Sequence, residues 1–184
     1  SPEITVSIAS NNDVTSLAKH GDIVTLTIDS DEILNGPPTV QISSNTSPVV
    51  APSTASTEYT ATHTLNQAAD PQTAVTFSIA SIIDRAGNPV STIANTSDAS
   101  SVTFDYTAPQ LDVVASSSNN SLTSSRAKAD DVVTVSFTTD EQVQTPVVLI
   151  AGESAVEANA NGDKATWAAT KTMDAEDSDG AIAF

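Results

Sequence analysis

Cysteine is absent from this chain, so no disulfide framework can hold it. Stability must come from apolar burial, backbone pairing or bound ions. Basic residues are nearly as scarce: six Lys and Arg stand against 23 Asp and Glu, for a net charge of −17. The imbalance is even, with eleven acids to two bases in residues 1–107 and twelve to four in 108–184. A chain this acidic repels nucleic acid and anionic lipid, which excludes those polyanions as partners, while it favours divalent cations wherever carboxylates converge. No apolar run approaches the roughly 18 residues of a membrane-crossing helix, so membrane insertion is not expected. One Trp, two Tyr and four Phe form the whole aromatic supply, too thin for both a core and an exposed stacking platform.

What the chain has instead is hydroxyl. It carries 25 Ser and 25 Thr in 184 residues. Thr suits the half-buried pleat of a strand, and Ser, Asn and Asp suit its turns.

The sequence also repeats itself. "SPEITVSIASNN" (1–12) aligns with "APQLDVVASSSNN" (108–120), "GDIVTLTIDSDE" (21–32) with "DDVVTVSFTTDE" (130–141), "EYTATHTL" (58–65) with "TWAATKTM" (166–173), and "AVTF" (74–77) with "AIAF" (181–184). Order is kept throughout, so the chain reads as two copies of one module. The matched segments alternate with period two, the mark of strands with one buried face. Val24, Leu26 and Ile28 are expected to face a core, as are Val133, Val135 and Phe137. Ile4, Val6 and Ile8 are read the same way, as are Leu111, Val113 and Ala115. Val75, Phe77, Ile79, Val102 and Phe104 complete the inward set, and Tyr59 and Trp167 are candidate aromatic anchors. Strands are expected near 3–9, 22–29, 38–43, 57–65, 74–83 and 100–106, with 43–56 a loop or an edge excursion. No helical segment of ten residues is expected.

The fold expected is therefore all-β: two tandem immunoglobulin-like Greek-key β-sandwiches, module one at 1–107 and module two at 108–184. Module two stops at Phe184, the counterpart of Phe77, so it is expected to lack its C-terminal strand. Truncation, or completion by a strand from a neighbouring subunit, would each account for that. The joint "FDYTAPQL" leaves almost no linker, which predicts a semi-rigid rod.

"AKHGDIVTL" with its following Asp-Glu, "IDRAGNPV" (83–90) and "VTFDYTAP" (102–109) together resemble the tandem bacterial Ig-like repeats of large secreted surface proteins and adhesins. Module two reads Ala129-Asp130 where module one has His20-Gly21. The resemblance implies a non-catalytic extender or adhesion module outside the bacterial cell, with neighbouring modules of the same chain as partners and a surface ligand at the tip. It also implies calcium in some relatives. Two alternatives stand beside it: a filament subunit completed by donor-strand exchange, and a carbohydrate-binding module.

The acidic clusters divide into turns and candidate ion sites. Asp29-Ser30-Asp31-Glu32 recurs only as Asp140-Glu141, which points to turn chemistry at a strand end. "DRAGN" predicts a turn capped by Asp84 with Gly87 left-handed. "MDAEDSDG" gathers Asp174, Glu176, Asp177 and Asp179 as calcium candidates, although Ala175 breaks the EF-hand register. Asp105, at the module joint, is the fifth candidate. The cofactor expectation is thus none, or calcium. His20 and His63 align with Ala129 and Lys171, so the module requires neither, and the Lys counterpart marks His63 as a rim position. With no G-x-S-x-G elbow and no glycine-rich phosphate loop, no enzymatic activity is expected.

Overall fold

The computed structural model describes residues 1–184, apart from the side chain of Val113. The chain is all-β, without a helix, and divides into two compact units, Ser1–Thr107 and Ala108–Phe184.

The first unit holds β1 (Ile4–Ser10), β2 (Leu17–Ala18), β3 (Ile23–Ser30), β4 (Thr39–Ile42), β5 (Val49–Ala51), β6 (Glu58–Thr64), β7 (Phe77–Ala80) and β8 (Thr103–Phe104). An antiparallel sheet runs in the order β1-β3-β6-β5, β4 pairs with β7 antiparallel, and β2 pairs with β8 parallel. Register follows the alternation. Ile8 lies opposite Leu26, Leu26 opposite Ala61, and Ile28 opposite Tyr59, so their side chains share one face. That face is closed: Val24, Leu26 and Ile28 are fully buried, while Thr25 and Thr27 on the other face are half-buried. Val40, Ile42 and Ile79 from the β4–β7 pair, and Ala18 and Phe104 from the β2–β8 pair, join the same apolar cluster, a β-sandwich-like arrangement. Burying each aliphatic side chain stabilises by about 1.5–3 kcal/mol. Tyr59 is buried because its hydroxyl is satisfied: it accepts from Ser56 N–H at 2.8 Å and donates to the Thr54 carbonyl at 3.0 Å.

Two expected strands are shorter than the pattern implied. The stretch 74–83 is cut to β7 because Ser81 has φ 58°, which breaks the extended backbone. The stretch 100–106 keeps only β8. The segment 43–56 contributes an edge strand, β5, beside β6.

The second unit holds β9 (Leu111–Ser118), β10 (Val132–Thr139), β11 (Leu149–Ile150), β12 (Glu153–Ser154), β13 (Val156–Asn159) and β14 (Thr166–Thr172). Its main sheet runs β13-β14-β10-β9, and β11 and β12 form a hairpin. Val133, Val135, Phe137, Ile150, Trp167, Ala169 and Met173 are buried together. Trp167 lies opposite Phe137, as Tyr59 does opposite Ile28, and its indole N–H donates to the Lys164 carbonyl at 3.1 Å.

One strand departs from expectation. Leu111 is 64% exposed and Ala115 is also exposed; the side chain of Val113 lies outside the described residues. Opposite the buried Phe137 and Val135 stand Val114 and Ser116, the places that Val6 and Ile8 hold in the first unit. The repeat alignment is therefore shifted by one residue on β9, and a one-residue shift exchanges the faces of a strand. An irregularity between Thr138 and Thr139 absorbs the difference.

Candidate functional site: carboxylate corners, buried His–Asp and Lys–Asp pairs and a strand clasp

The acidic residues are built into turns, and the same turns occur in both units. Asn11 Oδ1 accepts from Ile23 N–H and Asn119 Oδ1 from Val132 N–H, each at 2.7 Å. Asn12 Nδ2 donates to Asp22 Oδ2 at 2.8 Å, and Asn120 Nδ2 to Asp131 Oδ2 at 2.6 Å. The same oxygens accept from the N–H of Lys19 and Lys128, each at 2.9 Å. Asp31 Oδ1 accepts from Glu3 N–H and Asp140 Oδ1 from Gln110 N–H, each at 2.8 Å. A carboxylate accepting backbone N–H bonds is stabilised in its charged form. At Asp22 burial pushes the pKa up, but the bonds from Asn12 and Lys19 outweigh it and the group sits low. At Asp131 the Asn120 amide is the main cause of a lowered pKa. Asp84 behaves likewise: Asn88 Nδ2 and Asn88 N–H both donate to it at 2.7 Å around Gly87, whose φ is 92°.

A second shared feature was not legible from the sequence. Near the end of β6, His63 Nε2 lies 3.0 and 2.9 Å from the two oxygens of Asp70. Near the end of β14, Lys171 Nζ donates to both oxygens of Asp177 at 2.7 Å. Asp70 also accepts from Ser44 Oγ at 2.6 Å and Asn66 N–H at 2.8 Å, and Asp177 from Asp174 N–H at 2.8 Å. All four side chains are nearly closed to solvent, with exposures of 12% and 0% for His63 and Asp70 and 7% each for Lys171 and Asp177. The signal was the Asp following each basic residue by seven and by six positions; His and Lys differ enough in shape that the aligned pair read as an unconstrained rim.

The five candidate calcium ligands fall apart in this setting. Asp177 is held by the Lys171 ammonium. Asp174 Oδ1 accepts from the N–H of Glu176 and Asp177 at 2.8 and 3.1 Å. Asp174, Glu176 and Asp179 are exposed. Asp105 belongs to the first unit, where Gln72 Nε2 donates to it at 2.6 Å and Thr107 N–H at 2.9 Å. Among the described residues no three His, Cys, Asp or Glu side chains converge in a way that could hold a metal ion. Calcium needs six to eight oxygens, and a resident ammonium holds the one candidate carboxylate that is buried. The five candidates are therefore not gathered into one cluster among the described residues.

These pairs set a pH dependence. Burial pushes the Asp70 carboxyl up, and the bonds from Ser44, Asn66 and His63 overcome it and hold the group far below the usual carboxylate range. Its contribution is complete above its unfolded pKa, about 3.9, and is lost as pH falls below that. Hydrogen bonding to Asp177 raises the Lys171 pKa against the opposing effect of burial. That contribution is complete below the ordinary lysine value and is lost as pH rises above it. Trp167 is the one tryptophan, so its fluorescence follows the second unit. Its melting midpoint is expected to decline above about pH 10.5, and this alkaline limb should be much reduced in Lys171→Met. A limb of equal depth in that variant would contradict the assignment.

The first unit is also clasped across its length. Thr103 N–H donates to the Ser16 carbonyl and Asp105 N–H to the Ala18 carbonyl, each at 2.9 Å, joining β8 to β2 in parallel. On the other side of β8, Phe104 N–H donates to the Thr73 carbonyl at 2.9 Å and Val75 N–H to the Val102 carbonyl at 2.8 Å. Sequence patterning missed β2 because two residues carry no period.

Comparison with protein-family models, with curated proteins and with solved structures finds no match to this chain.

Proposed function

We propose that this chain is a non-catalytic extension and adhesion module of a bacterial surface or secreted repeat protein, made of two immunoglobulin-like Greek-key sandwiches in tandem. The β2–β8 clasp carries this reading. It ties residue 18 to residue 104, so the chain between them cannot lengthen until the clasp parts. Because the strands are parallel, opposite pulls on the flanking segments slide one along the other, and its cross-links resist together rather than in turn. The duplicated turns support the same reading, since carboxylates engaged by backbone N–H groups hold corners and are not free for acid–base chemistry. A carbohydrate platform has less support. Among the described residues Tyr106 and Phe184 are the aromatic side chains more than a third exposed, and Tyr106 leans on Phe104 with ring centroids 5.2 Å apart.

Single-molecule pulling tests the proposal. Thr103→Pro removes the bond to the Ser16 carbonyl, so the rupture force of the first unit is expected to fall below that of the parent. Val40→Ala, which thins the core away from the clasp, should lower the melting midpoint and leave the rupture force near that of the parent. Equal rupture forces for the two variants would remove the force-bearing reading.

A further inference from the structure

Two histidines are all the chain has, and both reach the same corner of the first unit. The exposed His20 accepts through Nδ1 from Gln67 N–H at 3.2 Å, on the turn 66–70. His63 Nε2 stands against Asp70 at the end of that turn, and its Nδ1 lies 3.4 Å from Asn45 Nδ2 in the loop 43–47. Ser44 joins loop to turn, donating to Asp70 through both N–H and Oγ. In the second unit Ala129 and Lys171 hold the two histidine places.

These bonds assign the protons. A ring nitrogen that accepts from a backbone N–H carries no hydrogen of its own, so His20 Nδ1 is bare. Asn45 is oriented by its oxygen, since Oδ1 accepts from Ser47 N–H at 3.0 Å. Its NH2 group therefore faces His63, whose Nδ1 accepts while Nε2–H donates to Asp70. Both rings are neutral in this arrangement, and an added proton has one place to go on each, the Nδ1 already in use. On His20 it turns the acceptor into a donor opposite Gln67 N–H. On His63 it sets Nδ1–H against the Asn45 NH2, so the amide must turn over and give up Ser47 N–H. The Asp70 bond survives, because Nε2 donates to it in either state.

Other charges around the corner are sparse. The loop 43–47, strands β4 and β5 and residues 71–80 carry no charged side chain, and the turn 66–70 carries Asp70 alone. From β3, Val24 lies opposite His63. Lys19 and Asp22 are near His20 in the chain, and Asp22 is engaged by Asn12 and by Lys19 N–H.

We infer that this corner is a proton-operated switch: charging of His20 and His63 in a mildly acidic medium releases Gln67 and Ser47, so the loop and the turn change their exposed surface while Asp70 keeps them anchored. The inference is independent of the force-bearing reading, since the β2–β8 clasp plays no part in it.

The test is nuclear magnetic resonance on the ¹⁵N-labelled 184-residue chain, taken from about pH 8 to about pH 5, the range over which histidine changes charge. At the alkaline end the ring nitrogens of both histidines should read as protonated Nε2 and bare Nδ1. Towards the acid end, protection of Gln67 and Ser47 N–H against hydrogen exchange should fall about tenfold, the weight of one hydrogen bond. Leu26 N–H in the core should keep its protection, as should Asp174 N–H, which Asp177 holds in the second unit. His20→Ala should leave Gln67 unprotected throughout and the Ser47 response intact. His63→Lys, which installs the second unit's permanent cation, should remove the Ser47 response. A protonated Nδ1 on either ring at the alkaline end, or unchanged protection of Gln67 and Ser47 across the range, would overturn the switch. So would a parallel loss at Leu26, which would mean that the whole unit opens.

Discussion

Asp70→Ala is expected to destabilise the first unit by about 3–5 kcal/mol, the cost of breaking a buried charged network by removing one partner. The carboxylate is the hub of its corner: Ser44 through both Oγ and N–H, Asn66 through N–H and His63 through Nε2 all point at it. Taking it away leaves these donors facing one another in a space closed to water, and each unsatisfied donor adds about 1–3 kcal/mol. Total stability of a domain is only about 5–15 kcal/mol, so the loss is large. Denaturant unfolding followed by far-UV circular dichroism reads both units, whereas Trp167 fluorescence reads the second. The early transition should appear in the first signal and leave the second unmoved. A loss under about 1 kcal/mol would place Asp70 among ordinary surface carboxylates.

Trp167→Ala should be as damaging to the other unit, by about 3–5 kcal/mol. The indole is 4% exposed, belongs to a residue that lies opposite Phe137 across the strands, and satisfies its own N–H at Lys164. Among the described residues the second core contains eight buried apolar side chains against sixteen in the first, so fewer neighbours remain to close the cavity. The expected outcome is a second unit unfolded at ambient temperature beside a folded first unit. By calorimetry the variant should lose the second-unit transition and keep that of the first. A midpoint for the second unit within a few degrees of the parent would show that this core does not rest on Trp167.

Strands that carry a clean two-residue alternation were legible from sequence, as the parity of Val24, Leu26 and Ile28 and of Val133, Val135 and Phe137 shows. Strand β9 was not. In "LDVVASSS" apolar and small residues fall on both parities, so the pattern does not choose a face and the pairing with β10 decides it. The two-residue strands β2 and β8 have no period at all; closure between distant parts of the chain creates them. At the corners, acidic density alone could not tell an ion site from a set of turn caps. The difference lies in which donors aim at each carboxylate: Lys171, Asn12 and Asn120 lie 6 to 11 residues from their acids, and only the folded turns bring them into hydrogen-bond range. His63 and Lys171 aligned correctly, yet their shared task was hidden because each partner aspartate sits in a turn of different length.

The main sheets of the two units run through their strands in the same order, but their cores are filled differently. Leu26 corresponds to Val135, Ile28 to Phe137, Tyr59 to Trp167 and Leu65 to Met173, every one of them buried. During synthesis, neighbouring copies of one template are prone to trade strands and jam. Here a traded β10 would press Phe137 into the space shaped for Ile28 against Tyr59, an overpacking worth about 1–3 kcal/mol. Different fillings of the two cores thus disfavour such a trade.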